Sequence, residues 1–217
     1  MAFLSETWLS DSPELLNDID DLEMGTGYGL LCKNCLQSAR GYSTGGVAIA
    51  YQKADLSLKV VDMPGNDYEF LFAVGSMPRF SRIFLAICAY LPPGLPASSV
   101  DSALCYLVDA ILELKSRFKD PFITISGDCN NYHVSTYLAN YPDISLLLTG
   151  PTRGDRTLDL IFTNFPDQIT QLGTLDPLED DSNKGFPSDH LVVFCSAELP
   201  RFQAYEWTSF SYMRQTE

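Results

Sequence analysis

Four short segments set acids, amides and a histidine beside apolar runs. Ser5-Glu6-Thr7-Trp8 follows Ala2-Phe3-Leu4, and Gly127-Asp128-Cys129-Asn130 follows Phe122-Ile123-Thr124-Ile125. Leu158-Asp159 opens Leu160-Ile161-Phe162, and Ser188-Asp189-His190 opens Leu191-Val192-Val193-Phe194. Carboxylates at strand ends can be gathered by a sandwich of sheets into one cleft. Gathered carboxylates repel unless a cation joins them, and oxygen ligands of this kind suit a hard divalent ion. The pattern therefore points to a divalent-metal site.

The elements that must position these groups are mostly strands. Val47–Tyr51, Glu69–Val74, Phe122–Ser126, Leu158–Phe162 and Leu191–Cys195 read as strands. Arg82–Tyr90 is apolar at nearly every position, as expected of a strand covered on both faces, and Pro92-Pro93-Gly94 ends it. One helix is clear. Leu104, Leu107, Val108, Ile111 and Leu112 recur at helical spacing, with Ser98 or Ser99 as cap, Asp101 in the first turn and Lys115, Arg117 and Lys119 at the end. Val134–Tyr141 is expected to hold a short helix, Pro151–Asp155 a loop and Asp176–Pro187 an acidic loop. Strands outnumber helices, which favours an α/β sandwich over a regular βαβ alternation.

The chain has 217 residues, enough for one large domain with its own core. No apolar run approaches the roughly 18 residues of a membrane span, and the first residues lack the features of a secretory signal. Of six cysteines, Cys88, Cys105, Cys129 and Cys195 lie in apolar or strand-like surroundings and read as reduced core residues of an intracellular protein, nuclear or cytoplasmic. Cys32-Lys33-Asn34-Cys35 is half of a zinc spacing and lacks a second pair. A net charge of −14 argues against non-specific nucleic-acid binding over the whole surface. The charge is uneven, however: Asp11–Glu23 holds six acids and no base, whereas Arg153 and Arg156 stand near the acidic motifs. A local basic rim with a bound metal remains compatible with a phosphate substrate.

Glu-Thr-Trp-Leu, Tyr90 before Pro-Pro, Gly-Asp-Cys-Asn, Arg-Thr-Leu-Asp-Leu-Ile-Phe-Thr-Asn and Ser-Asp-His occur in one order over Phe3–Leu199. In this the chain resembles the endonuclease/exonuclease/phosphatase (DNase I-like) superfamily. More narrowly it resembles the apurinic/apyrimidinic-type endonuclease domain of LINE-type non-LTR retrotransposons, most of all over Pro151–Asn164. The resemblance implies a four-layered α/β sandwich, two packed mixed sheets flanked by helices, spanning residues 1–199, with 200–217 as a tail or linker remnant. It implies Mg²⁺-dependent cleavage of phosphodiester bonds, with Mn²⁺ as a substitute ion and DNA as the partner; it implies no membrane and identifies no protein partner. By position, Glu6 matches a metal-binding glutamate and Asp189 a second carboxylate near the metal. Tyr90 and His190 match residues that contact the phosphate, and Asp128 the aspartate that handles a proton. Asn130 matches the asparagine that orients that aspartate, and Asp159 the aspartate that holds the histidine. Arg153 and Arg156 are the candidates for touching substrate.

The chemistry of the residues agrees with these roles. Phosphodiester hydrolysis needs charge neutralised on the phosphoryl oxygens, a water activated and the departing oxygen assisted. Mg²⁺ keeps several waters, so Glu6 and Asp189 suffice to hold it. His190 beside Asp159 would be oriented and kept protonated, able to donate to a phosphate. Plainer roles exist for several residues: a first-turn acid for Glu6, core packing for Tyr90, solvated charges for Arg153 and Arg156. The family also has a strand carrying a metal-binding asparagine ahead of the Glu-Thr segment. With Met1 five residues before Glu6, that strand is expected to be missing and the domain N-terminally truncated. Two other readings follow: a catalytically inactive remnant or binding module of the same fold, or a phosphatase or sphingomyelinase of the same superfamily.

Overall fold

The structure, a computed structural model, describes residues 1–5, 27–33, 45–78, 80, 82–139, 141, 143–147, 150–176 and 190–199. Glu6, Asp189, Asp11–Glu23, Cys35 and the 200–217 segment lie outside that set.

A six-stranded sheet forms the centre. Its strands are β4 (Ser57–Val60), β5 (Phe70–Ser76), β6 (Ile83–Ala89), β7 (Phe122–Asp128), β8 (Ser145–Leu147) and β9 (Asp159–Thr163). Their order is β4-β5-β6-β7-β9-β8, and the sheet is mixed because β6 and β7 run parallel while the other pairs are antiparallel. The parallel pair needs a crossover, supplied by the helix α1 (Ala97–Arg117). Among the described residues, two smaller antiparallel sheets complete the strands. One orders β1 (Ala2–Ser5), β3 (Val47–Gln52) and β2 (Tyr28–Lys33) as β1-β3-β2; the other pairs β10 (Ile169–Leu175) with β11 (Val192–Ala197).

Strand β6 shows why the sheet is covered on both sides. Side chains alternate across a strand; Leu85, Ile87 and Ala89 enter one core cluster, whereas Phe84, Ala86 and Cys88 enter the other. The first cluster contains Val100, Leu104, Leu107, Ile111 and Leu114 of α1, so the helix lies on that face. A short helix, α2 (Val134–Leu138), adds Val134 and Leu138 to it. The second cluster takes Val47 and Ile49 of β3, with Phe3 and Ile169 against it, so the small sheets cover the opposite face. Each such side chain taken fully out of water contributes about 1.5–3 kcal/mol. The result is the α/β sandwich of packed sheets; among the described residues its helical cover is α1 and α2.

The helix start differs from the sequence reading. Pro96 holds the cap position at φ −57° with no side-chain capping bond, and no acid falls in the first turn. The proline ring presets the entry angle, and the Pro96 carbonyl accepts the N–H groups of Ser99 and Val100. Ser98 and Ser99 are thereby first-turn residues, and Asp101 lies one step too far along. The basic end is as expected, with Lys115 and Arg117 in the last turn. No described helix is long and apolar enough to cross a membrane.

Candidate active site

The topology brings several chemically able groups to one rim of the six-stranded sheet. Asp128 is the last residue of β7 and Asp159 the first of β9; in the antiparallel ladder they are direct partners, so their side chains share a face. His190 precedes β11, and its Nδ1–H donates to Asp159 Oδ2 at 2.8 Å. Donor atoms of Asp128, Asp159 and His190 all lie within 4.8 Å of one another. Three residues from three stretches of chain thus form one cluster, with Asp128 buried and the other two half-buried.

The neighbouring strand ends join this rim. Leu91, just past β6, donates its N–H to the Asp128 carbonyl at 3.0 Å. Tyr90 donates its N–H to the Glu69 carbonyl at 3.0 Å, and its ring is buried in the second core cluster. Glu69 stands just before β5 and is itself buried, and its Oε2 accepts the Gly46 N–H at 3.0 Å. Ser5 of β1 pairs with Val47, the residue after Gly46, so the end of β1 reaches the same rim. Glu69 is an acid that sequence reasoning counted only as part of a strand. The signal was present: in an antiparallel strand, an acid preceding the apolar run sits at the rim where a parallel strand places the acid that follows.

Local conformation fixes Asp128. Gly127 has φ +147°, and a Cβ there would lie 1.9 Å from the Ala89 carbonyl oxygen, so the close approach of β7 to β6 requires glycine. Asn130 adopts φ +49°, a left-handed conformation that asparagine tolerates. Its backbone N–H donates to Asp128 Oδ1 at 2.8 Å, and its side-chain Nδ2 donates to the Leu91 carbonyl at 2.8 Å. The link from Asn130 to Asp128 is therefore made by the backbone. Between these two residues, Cys129 is buried, and desolvation first, then the Asp128 charge, push its thiol pKa far up.

A second residue absent from the sequence reading is Thr152, which is fully buried. Its Oγ1 accepts the N–H groups of Leu158 at 2.9 Å and Asp159 at 3.2 Å, and its carbonyl accepts the Leu191 N–H at 2.7 Å. One side chain and its carbonyl thus tie the segment of Asp159 to that of His190. The adjoining Arg153-Gly154-Asp155-Arg156 turn closes through N–H···O bonds in both directions between Arg153 and Arg156, at 3.0 and 3.1 Å. Both arginines hang from this hairpin, which Thr152 also anchors through its own N–H to the Arg156 carbonyl at 2.8 Å.

Two carboxylates and an imidazole form a donor set that a divalent cation fits. No family model matches the chain, and no curated protein matches it. Solved structures do. The endonuclease domain of TRAS1, a telomere-specific non-LTR retrotransposon, is 12% identical with a TM-score of 0.57, covering 93% of this chain and 100% of that one. The human Nocturnin catalytic domain is 16% identical with a TM-score of 0.62, covering 90% and 80%. The Bacteroides thetaiotaomicron mannosyl-6-phosphatase Bt3783 is 13% identical with a TM-score of 0.62, covering 85% and 82%. At these identities the likeness is one of fold, and the fold is that of the endonuclease/exonuclease/phosphatase, or DNase I-like, superfamily.

Proposed function

We propose that this protein is a metal-dependent phosphodiesterase that nicks DNA, related to retrotransposon endonucleases. The observation that carries the proposal is the meeting of Asp128, Asp159 and His190 at the strand ends of a DNase I-like fold.

In this reading Glu6 and Asp189 would hold Mg²⁺, or Mn²⁺ in its place. The ion supplies positive charge to the phosphoryl oxygens. The remaining roles belong to the chain. Asp128, fixed by the Asn130 N–H, moves the proton of the attacking water or the leaving oxygen. Asp159 holds the His190 ring by its Nδ1–H, which directs Nε2 to the phosphate as a donor. Asn130 and Tyr90 line the phosphate's place. Arg153 and Arg156 touch the DNA backbone from their hairpin, a contact that positions without reading sequence. An intracellular setting, nuclear or cytoplasmic, belongs to the same reading.

The test is relaxation of supercoiled plasmid with Mg²⁺ and with EDTA. Nicking that needs the ion and is lost in His190→Ala supports the assignment. Equal nicking by His190→Ala, or none by the native protein at high concentration, refutes it.

A further inference from the structure

The turn after β6 has an unusual hydrogen-bonding problem. Pro92, Pro93 and Pro96 have no N–H, so between Leu91 and Pro96 only Leu91, Gly94 and Leu95 can donate. Among the described residues, four bonds join the Leu91–Leu95 stretch to the 128–132 segment. Leu91 N–H donates to the Asp128 carbonyl at 3.0 Å, and Asn130 Nδ2 donates to the Leu91 carbonyl at 2.8 Å. The other two belong to one hydroxyl: Tyr132 donates to the Pro92 carbonyl at 2.9 Å and accepts the Leu95 N–H at 2.9 Å.

We infer that Tyr132 is a positioning residue of the active site, whose hydroxyl holds the Leu91–Pro96 turn so that the Leu91 carbonyl anchors the Asn130 amide. The peptide that Tyr132 grips is the next one along from the Leu91 carbonyl, so the two bonds share a stretch of chain with little freedom between them. Without the hydroxyl, the Pro92 carbonyl and the Leu95 N–H lose the partners described here and turn toward water. The Leu91 carbonyl then moves with them, and the Asn130 side chain loses its fixed acceptor. The Tyr132 ring packs against the first core cluster, so Tyr132→Phe keeps the packing and removes only the hydroxyl.

The consequence for turnover rests on the proposed function; the consequence for Asn130 does not. In Tyr132→Phe, side-chain amide protons of Asn130, assigned by their loss in Asn130→Asp, are expected to exchange with solvent at least tenfold faster. The backbone amide of Leu104, in the middle of α1, serves as the reference and is expected to be unchanged. Faster exchange at Leu95 with no change at Asn130 overturns the inference, because the hydroxyl then braces only its own turn. In the nicking assay Tyr132→Phe is expected to fall about tenfold, and the double variant Tyr132→Phe/Asn130→Ala to be no slower than Asn130→Ala alone. Losses that multiply overturn it. If the native protein does not nick, the proposed function fails, and the amide exchange still decides the role of Tyr132.

Discussion

Asp128 and Asp159 face each other across the β7–β9 ladder, two carboxylates in direct register on one side of a sheet. The His190 ring meets Asp159 through its Nδ1–H, and Asp128 is buried with its Oδ1 accepting a backbone N–H. At such separations like charges oppose folding by about 1–3 kcal/mol unless a cation intervenes. In EDTA, Asp128→Asn should therefore be more stable than the native protein by about that amount. Asparagine keeps an oxygen to accept the Asn130 N–H. Adding Mg²⁺, held by Glu6 and Asp189 in the proposed reading, should raise both melting temperatures, and the native one more, because only there does the ion also offset the Asp128 charge, while the variant should lose nicking. Melts by circular dichroism in EDTA and in Mg²⁺ check this; a variant less stable than the native protein in EDTA would sink it.

Thr152 links the two halves of the Asp159–His190 pair through a buried hydroxyl and a carbonyl. Thr152→Val has nearly the same shape but strands the Leu158 and Asp159 N–H groups. A buried donor left unmet costs about 1–3 kcal/mol, so urea unfolding should show a loss of about 2–6 kcal/mol for the two. Thr152→Ser, which keeps the oxygen, should lose about 1 kcal/mol or less. Equal losses in both variants would show that the methyl group matters and the hydroxyl does not.

Much of this architecture is legible in the residues, and the exceptions have physical causes. The strands with continuous apolar runs, β6 and β7, declare themselves because they are buried on both faces. Strands β2, β4 and β10 do not stand out in the sequence. Ser57–Val60 alternates polar and apolar over only four residues, and Ile169–Leu175 is largely exposed, so neither shows a core-facing run. Asp128, Asp159 and His190 could be named because each adjoins such a run, and the structure brings them together. Thr152 could not. Its importance comes from three N–H groups converging on it, two from six and seven residues along and one from Leu191, a convergence of tertiary structure that no residue pattern encodes.

Cys88 lies fully inside the sheet, its thiol donating to the Leu4 carbonyl at 3.4 Å and so touching β1 from β6. Burial pushes its pKa up from 9.0 to about 12, with the backbone contacts opposing. A group whose pKa is raised by folding binds its proton more tightly in the native state. Its contribution is complete below pH 9 and is lost as pH climbs from there toward 12. Stability should fall across that window, with this thiol accounting for about 1.4 kcal/mol per pH unit at most. Cys88→Ala should flatten the decline relative to the native protein in urea titrations at pH 8, 9, 10 and 11. Parallel declines in both proteins would assign the loss to other groups.

Gly127 and Gly154 both have positive φ, yet they should respond very differently to a methyl group. At Gly154, φ is +60° and nothing lies within 4 Å of the added carbon, so Gly154→Ala carries only the left-handed backbone penalty of about 1–2 kcal/mol. At Gly127, φ is +147° and the added carbon would stand 1.9 Å from the Ala89 carbonyl oxygen, which is backbone and cannot rotate aside. Gly127→Ala must push β7 away from the end of β6 at the residue before Asp128. The expected cost exceeds about 3 kcal/mol. Because the displacement falls beside Asp128, Mg²⁺ should raise the melting temperature less than in the native protein even where the variant still folds. A Gly127→Ala protein that melts like Gly154→Ala and keeps its response to Mg²⁺ would mean that the two strand ends do not meet as closely as this geometry has them.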